Sequence, residues 1–149
     1  MAEASTQKPS SPPVEGTVAQ VMHQALTTAE RNDHVAAAAY LMKHTGTTAL
    51  VVLEDATRRV AGIITDTDVA NVVADGKDAN DVRIFEVMTP DPAVVDATIS
   101  IREAAELMTT GHLRHLPVTD DSGLAGIVDI DAVCRALLDP HDRGNGGII

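Results

Sequence analysis

Two stretches of the chain place apolar residues at the spacing of a buried helical face. Ile101, Ala104, Ala105 and Met108 recur at three- and four-residue intervals, with Ser100 and Glu103 ahead of them as a capping box and Gly111 behind as a stop. Val35, Ala38, Ala39 and Met42 repeat the pattern earlier, with Asn32 and Asp33 as cap candidates and Gly46 as the stop. Each helix is followed by a short apolar run, 49–53 or 116–119, and then a polar, turn-forming stretch, 54–59 or 120–123. A second apolar run, 60–64 or 124–128, feeds a closing helix expected from about Thr67 or Asp131. The order predicts strand, helix, strand, strand, helix, written twice.

The two copies share a register. Val21-Met22 recurs as Val87-Met88 and Leu41-Met42 as Leu107-Met108, a shift of 66 in both (87 minus 21, 107 minus 41). At Gly62-Ile63 against Gly126-Ile127 the shift falls to 64 (126 minus 62), and a hairpin loop is where two extra residues are absorbed most easily. The division that follows is a loose arm at 1–16, a first repeat at 17–75, a linker at 76–82, a second repeat at 83–138 and a flexible tail at 139–149. The fold class is α/β (α+β). Two such units in one chain can pair their sheets and bury faces that neither could bury alone. The alanine-rich stretch 36–39 permits close helix packing, for which an intrachain core is the expected use.

Composition narrows the function. At 149 residues and 44% hydrophobic, the chain can bury about 70% of its unfolded surface in one compact unit. Eleven Lys and Arg against 22 Asp and Glu give a formal charge of −11, which disfavours DNA, RNA and anionic membranes as partners. A local basic spot can still hold one small anion. With Tyr40 and Phe85 as the sole aromatic residues, stacking platforms are nearly absent and the core must be aliphatic. Cys134 stands alone in a helical segment and is expected to be a small buried thiol. The N-terminus lacks the basic start and apolar stretch of a signal peptide, and no run of about 18 apolar residues occurs, so a cytoplasmic protein is expected.

The candidate chemistry lies at 62–69, GIITDTDV, which the second copy rewrites at 126–133 as GIVDIDAV. Thr65 ends a strand and Asp68 follows three residues later, the form of a helix start. On one reading both side chains merely satisfy free backbone N–H groups. On the other, the strand-to-helix junction offers N–H groups and a positive dipole end to a phosphate, and a carboxylate accepts from ribose hydroxyls.

Val-Met near the start of each copy, Leu116-Pro117-Val118 in the middle and Gly-Ile-Ile/Val at the end resemble a tandem pair of CBS domains, a Bateman module, of the kind that stands alone in bacterial proteins. The resemblance covers about residues 17–138. It implies a pseudo-twofold module with two clefts between the copies, many members binding AMP, ADP, ATP or S-adenosylmethionine there. Carried over by position, Ile63 and Thr65 lie in the ligand motif with Thr65 at the phosphate, and Asp68 meets the ribose hydroxyls. Pro92 and Ala93, on an early strand of the second copy, flank the adenine, and Arg114 and His115 face the phosphates. A guanidinium suits that role, although a surface Arg paired with a carboxylate is as ordinary an outcome. The second cleft, with Thr17, Ala49, Ile127 and Asp129, is the weaker one. Asp129 replaces Thr65 and Ala132 replaces Asp68, so a negative charge sits where phosphate should bind and the ribose carboxylate is missing. Asp131 is one residue too early, about 100° away around a helix. One occupied site per chain is expected.

Other chemistry is thin. Six histidines invite a metal, but His112 and His115 lie on a turn before a strand and no Cys or second His pair stands at a ligand spacing near them, so no metal site is expected. Asp129 and Asp131 could hold Mg²⁺ beside a polyphosphate, against the commoner outcome of a solvated helix start. No Gly-x-Ser-x-Gly, Cys/His pair or Gly-rich phosphate loop is present, so no catalytic residue and no required cofactor are expected. The expected function is a regulatory module that binds an adenosine nucleotide between the repeats and signals to a protein partner, as a homodimer by the habit of the family. The alternatives are a ligand-free dimeric scaffold and a sensor of S-adenosylmethionine.

Overall fold

The structure, a computed structural model, describes residues 16–24, 27–54, 57 and 59–138. All but the last residue of the arm expected at 1–16, the tail at 139–149 and part of the first hairpin loop lie outside the described residues.

The core elements fall where the hydrophobic pattern puts them. In the first copy, β1 (His23–Gln24) and β2 (Ala29–Glu30) precede α1 (Val35–Thr45), β3 (Ala49–Leu53), β4 (Val60–Thr65) and α2 (Asp66–Ala74). In the second, β5 (Thr89–Pro90) and β6 (Val95–Asp96) precede α3 (Ile101–Gly111), β7 (His115–Asp120), β8 (Gly123–Asp129) and α4 (Ile130–Leu138). The single early strand expected in each copy is thus a pair of two-residue strands. Both hairpins carry a register shift, between Val52 and Leu53 and between Val118 and Thr119, and the residues passed over, Ala61 and Ala125, are equivalent in the repeat.

The sheets are not the copies. One sheet has the order β2-β3-β4-β5 and the other β1-β8-β7-β6, so each copy lends its first strand to the other's sheet. His23 pairs with Ile127 and Gln24 with Gly126, while Gly62 pairs with Pro90 and Ile63 with Thr89. Side chains follow the strands. Val18, with Val21 and Met22, packs in the core of α3, α4 and β7, and Ile84, with Val87 and Met88, packs in the core of α1, α2 and β3. A smaller apolar seam of Val51, Leu53 and Leu124, with Val60 and Ile127, joins the two sheets.

Three sequence expectations are corrected. Neither Asn32 nor Asp33 caps α1, whose N-cap is His34; its first amides donate to backbone carbonyls of the expected linker, Val35 N to Val82 O at 2.8 Å and Ala36 N to Ala79 O at 3.0 Å. Asp33 instead accepts from the Glu30 amide at 3.1 Å. Gly111 is the last residue of α3, and the left-handed stop is His112, at φ 55°. Cys134 is exposed, because Ala132, Val133 and Ala136 form the buried face of α4 and a one-residue step turns away from it. The Ser100–Glu103 capping box forms as expected, Glu103 N donating to Ser100 Oγ at 2.9 Å.

Candidate ligand cleft

Strand exchange builds the candidate site. Because β5 lies against β4, the chain leaving β5 runs beside the end of β4, and the start of β7 closes the other side. The resulting cleft has a volume of about 440 Å³ and is lined by Ile63 and Thr65, by Pro92 and Ala93, and by Arg114 and His115. Six of the seven residues expected at the first site therefore share one space, within the size range of small-molecule pockets. Pro92 and Ala93 lie in the irregular segment between β5 and β6 and not on a strand.

The seventh residue, Asp68, is not among the lining residues. Its carboxylate accepts from the Thr65 amide at 2.8 Å, and its own amide donates to Thr65 Oγ1 at 3.2 Å, a closed capping box at the start of α2. The structure thus forms the cap that the spacing predicts. It also leaves Thr65 at once a cap and a cleft wall.

Charge in the cleft comes from the second copy. No carboxylate pairs with the Arg114 guanidinium among the described residues. His115 is half-buried, and its Nε2 lies 2.9 Å from the Thr48 hydroxyl. Burial pushes the His115 pKa below its ordinary 6.5, the Arg114 charge pushes it further down, and Asp129 and Asp66 pull it back. Sequence reasoning missed Thr67, Thr89, Asp91 and His112, which also line the cleft. The signal for Asp91 and His112 is conformational: they are the two non-glycine residues with positive φ among those described, at 45° and 55°.

The second cleft differs in kind. Ala49 and Ile127 line a hollow of about 330 Å³ with His23, Gln24 and Thr27, and also line an adjoining one of about 220 Å³ that includes Thr48, His115 and Asp129. Among the described residues no Lys or Arg borders either space. Asp129 Oδ1 accepts from the Ala132 amide at 2.8 Å, so it caps α4 as Thr65 caps α2, and its Oδ2 lies 3.7 Å from His23 Nε2. Thr17 does not reach this cleft; it bridges to Ser100, and its amide donates to Gln20 Oε1 at 3.2 Å.

A duplicated unit with exchanged strands and two inter-copy clefts defines a tandem-repeat α/β module. The CBS domain family model matches residues 18–75 and again 84–139, and the chain belongs to that family. It is 32% identical over 97 residues to CBS domain-containing protein CBSX3, mitochondrial, of Arabidopsis thaliana, covering 62% of this chain and 47% of that one, so it spans about half of that relative's length. It is 31% identical over 113 residues to CBS domain-containing protein YhcV of Bacillus subtilis, covering 75% of this chain and 79% of the relative. A solved structure of a protein with CBS domains from Burkholderia ambifaria superposes with a TM-score of 0.75 at 31% identity, over 89% of this chain and 98% of the other. The structure of CBSX2 in complex with AMP superposes with a TM-score of 0.69 at 27% identity, over 83% and 97%. No helix among the described residues is long and apolar enough to cross a membrane.

Proposed function

We propose that the chain is a regulatory module that binds an adenosine nucleotide, AMP, ADP or ATP, in the first cleft and passes its occupancy to a protein partner. The observation that carries this reading is the meeting of the Thr65 helix start, which favours anions, with the Arg114 guanidinium across one cleft. The AMP complex of CBSX2 supports the ligand class. In this reading Asp68 exchanges part of its capping role for the ribose hydroxyls, and one site per chain is filled because the second cleft has Asp129 and, among the described residues, no Lys or Arg. Mg²⁺ would accompany a polyphosphate and is not required by AMP. Exposed apolar side chains on the four helices, Tyr40, Val73, Leu107 and Leu138, support a homodimer through the helical faces.

The closed Thr65–Asp68 capping box favours a second reading, a ligand-free scaffold in which both residues only start α2. A thermal-shift screen against adenosine, AMP, ADP, ATP, S-adenosylmethionine and GTP, with and without Mg²⁺, separates the two. A ligand at 100 times its Kd stabilises by about 2.7 kcal/mol, a shift of several degrees for a protein of this size. A response to an adenosine compound supports the sensor, and no response to any supports the scaffold.

A further inference from the structure

One side chain faces both clefts. His115 lines the space around Thr65 and also the hollow of Thr45, Thr47, Thr48 and Asp129. Its Nε2 meets Thr48 Oγ1 at 2.9 Å, a hydrogen bond from one copy to the other, and Thr48 borders the second space and not the first. The repeat does not reproduce this bond. At the shift of 66, Arg114 answers to Thr48 and His115 to Ala49 (114 minus 48, 115 minus 49), so the symmetry-related pair would join Arg114 to an alanine. The link therefore has a direction.

We propose that His115 is a positioning residue that couples the two clefts, accepting the Thr48 O–H when no anion occupies the first cleft and, when a phosphate does, donating to the Thr48 oxygen so that its O–H turns to the second cleft. This rests on the reading of the first cleft as a nucleotide site and adds to it a route by which one cleft senses the other. A neutral imidazole has one donor and one acceptor, and a protonated ring has two donors. An anion beside the ring favours the protonated form. Nε2 then carries hydrogen and donates to the Thr48 oxygen, so the bond persists with its direction reversed, and the Thr48 O–H is freed to point elsewhere. The charges facing the ring set the balance: Arg114 opposes protonation, and Asp129 and Asp66 favour it. His23, 3.7 Å from Asp129, competes for that carboxylate, and His112 shares the first cleft.

The coupling makes Thr48, outside the first cleft, an affinity determinant for it. AMP and adenosine are titrated calorimetrically at pH 7 into the wild type, Thr48→Val, Thr48→Ser, His115→Gln and the Thr48→Val/His115→Gln double variant. With no acceptor for the protonated ring, Thr48→Val should bind AMP about fivefold more weakly, the equivalent of one net hydrogen bond, with adenosine unchanged and Thr48→Ser like the wild type. His115→Gln should weaken AMP, and in its presence Thr48→Val should have no further effect. Unchanged AMP affinity in Thr48→Val overturns the coupling and leaves the nucleotide site standing; no AMP binding by the wild type overturns both. A merely structural Thr48 would lower the melting temperature without separating AMP from adenosine.

Discussion

Met88 lies on Gly62 with no space between them: a Cβ at Gly62 would stand 2.6 Å from the Met88 sulfur and 2.7 Å from the Thr89 carbonyl oxygen. Gly126 receives Met22 in the same way, and there the added carbon would also collide with the His23 carbonyl oxygen. The Val-Met and Gly-Ile landmarks that recur along the chain are thus two halves of one contact, each Met meeting the Gly of the other copy.

Gly62→Ala should destabilise the protein by about 1–3 kcal/mol through overpacking, read as a lower denaturant midpoint. Met88→Ala should not rescue it, because the Thr89 carbonyl belongs to the backbone of β5 and cannot swing away. Full rescue by Met88→Ala would show that the strand contact is not the tight one.

Arg114→Ala should weaken AMP more than adenosine, by about tenfold or more for loss of a charge-assisted hydrogen bond, with little change in melting temperature because the side chain is exposed. Equal losses for the two ligands, measured by titration, would remove Arg114 from the phosphate.

Acid should destabilise the fold through His115. Its folded pKa lies below the unfolded 6.5, so the unfolded chain takes up the proton first. The contribution is complete above pH 6.5 and declines as pH falls from there toward the folded pKa. Chemical denaturation from pH 7.5 down to 5 should show a steeper loss in the wild type than in His115→Gln; parallel curves would assign the acid sensitivity to other groups.

Much of this was legible in the sequence, because helices α1 and α3 and the two hairpins rest on local periodicity and turn chemistry. The exchange of β1 and β5 was not, since a two-residue strand has no periodicity of its own and its partner lies far along the chain. The cap of α1 failed for a related reason: Asn32 and Asp33 are suitable cap residues, but carbonyls of Ala79 and Val82, more than 40 residues on, take the amides. At the cleft, Thr65, Arg114 and their neighbours were found through motif position. Asp91 and His112 were missed because neither residue type announces a left-handed backbone as glycine does.

Asp68 separates the sensor from the scaffold, since a cap and a ribose ligand make different demands on it. As a cap alone, Asp68→Ala costs about 1 kcal/mol of stability and nothing else. Calorimetric titration of AMP into the wild type and Asp68→Ala, both checked to be folded, tests this directly. One AMP per chain is expected in the wild type and no measurable binding in the variant; undiminished binding by Asp68→Ala, or none by the wild type, would contradict the nucleotide site.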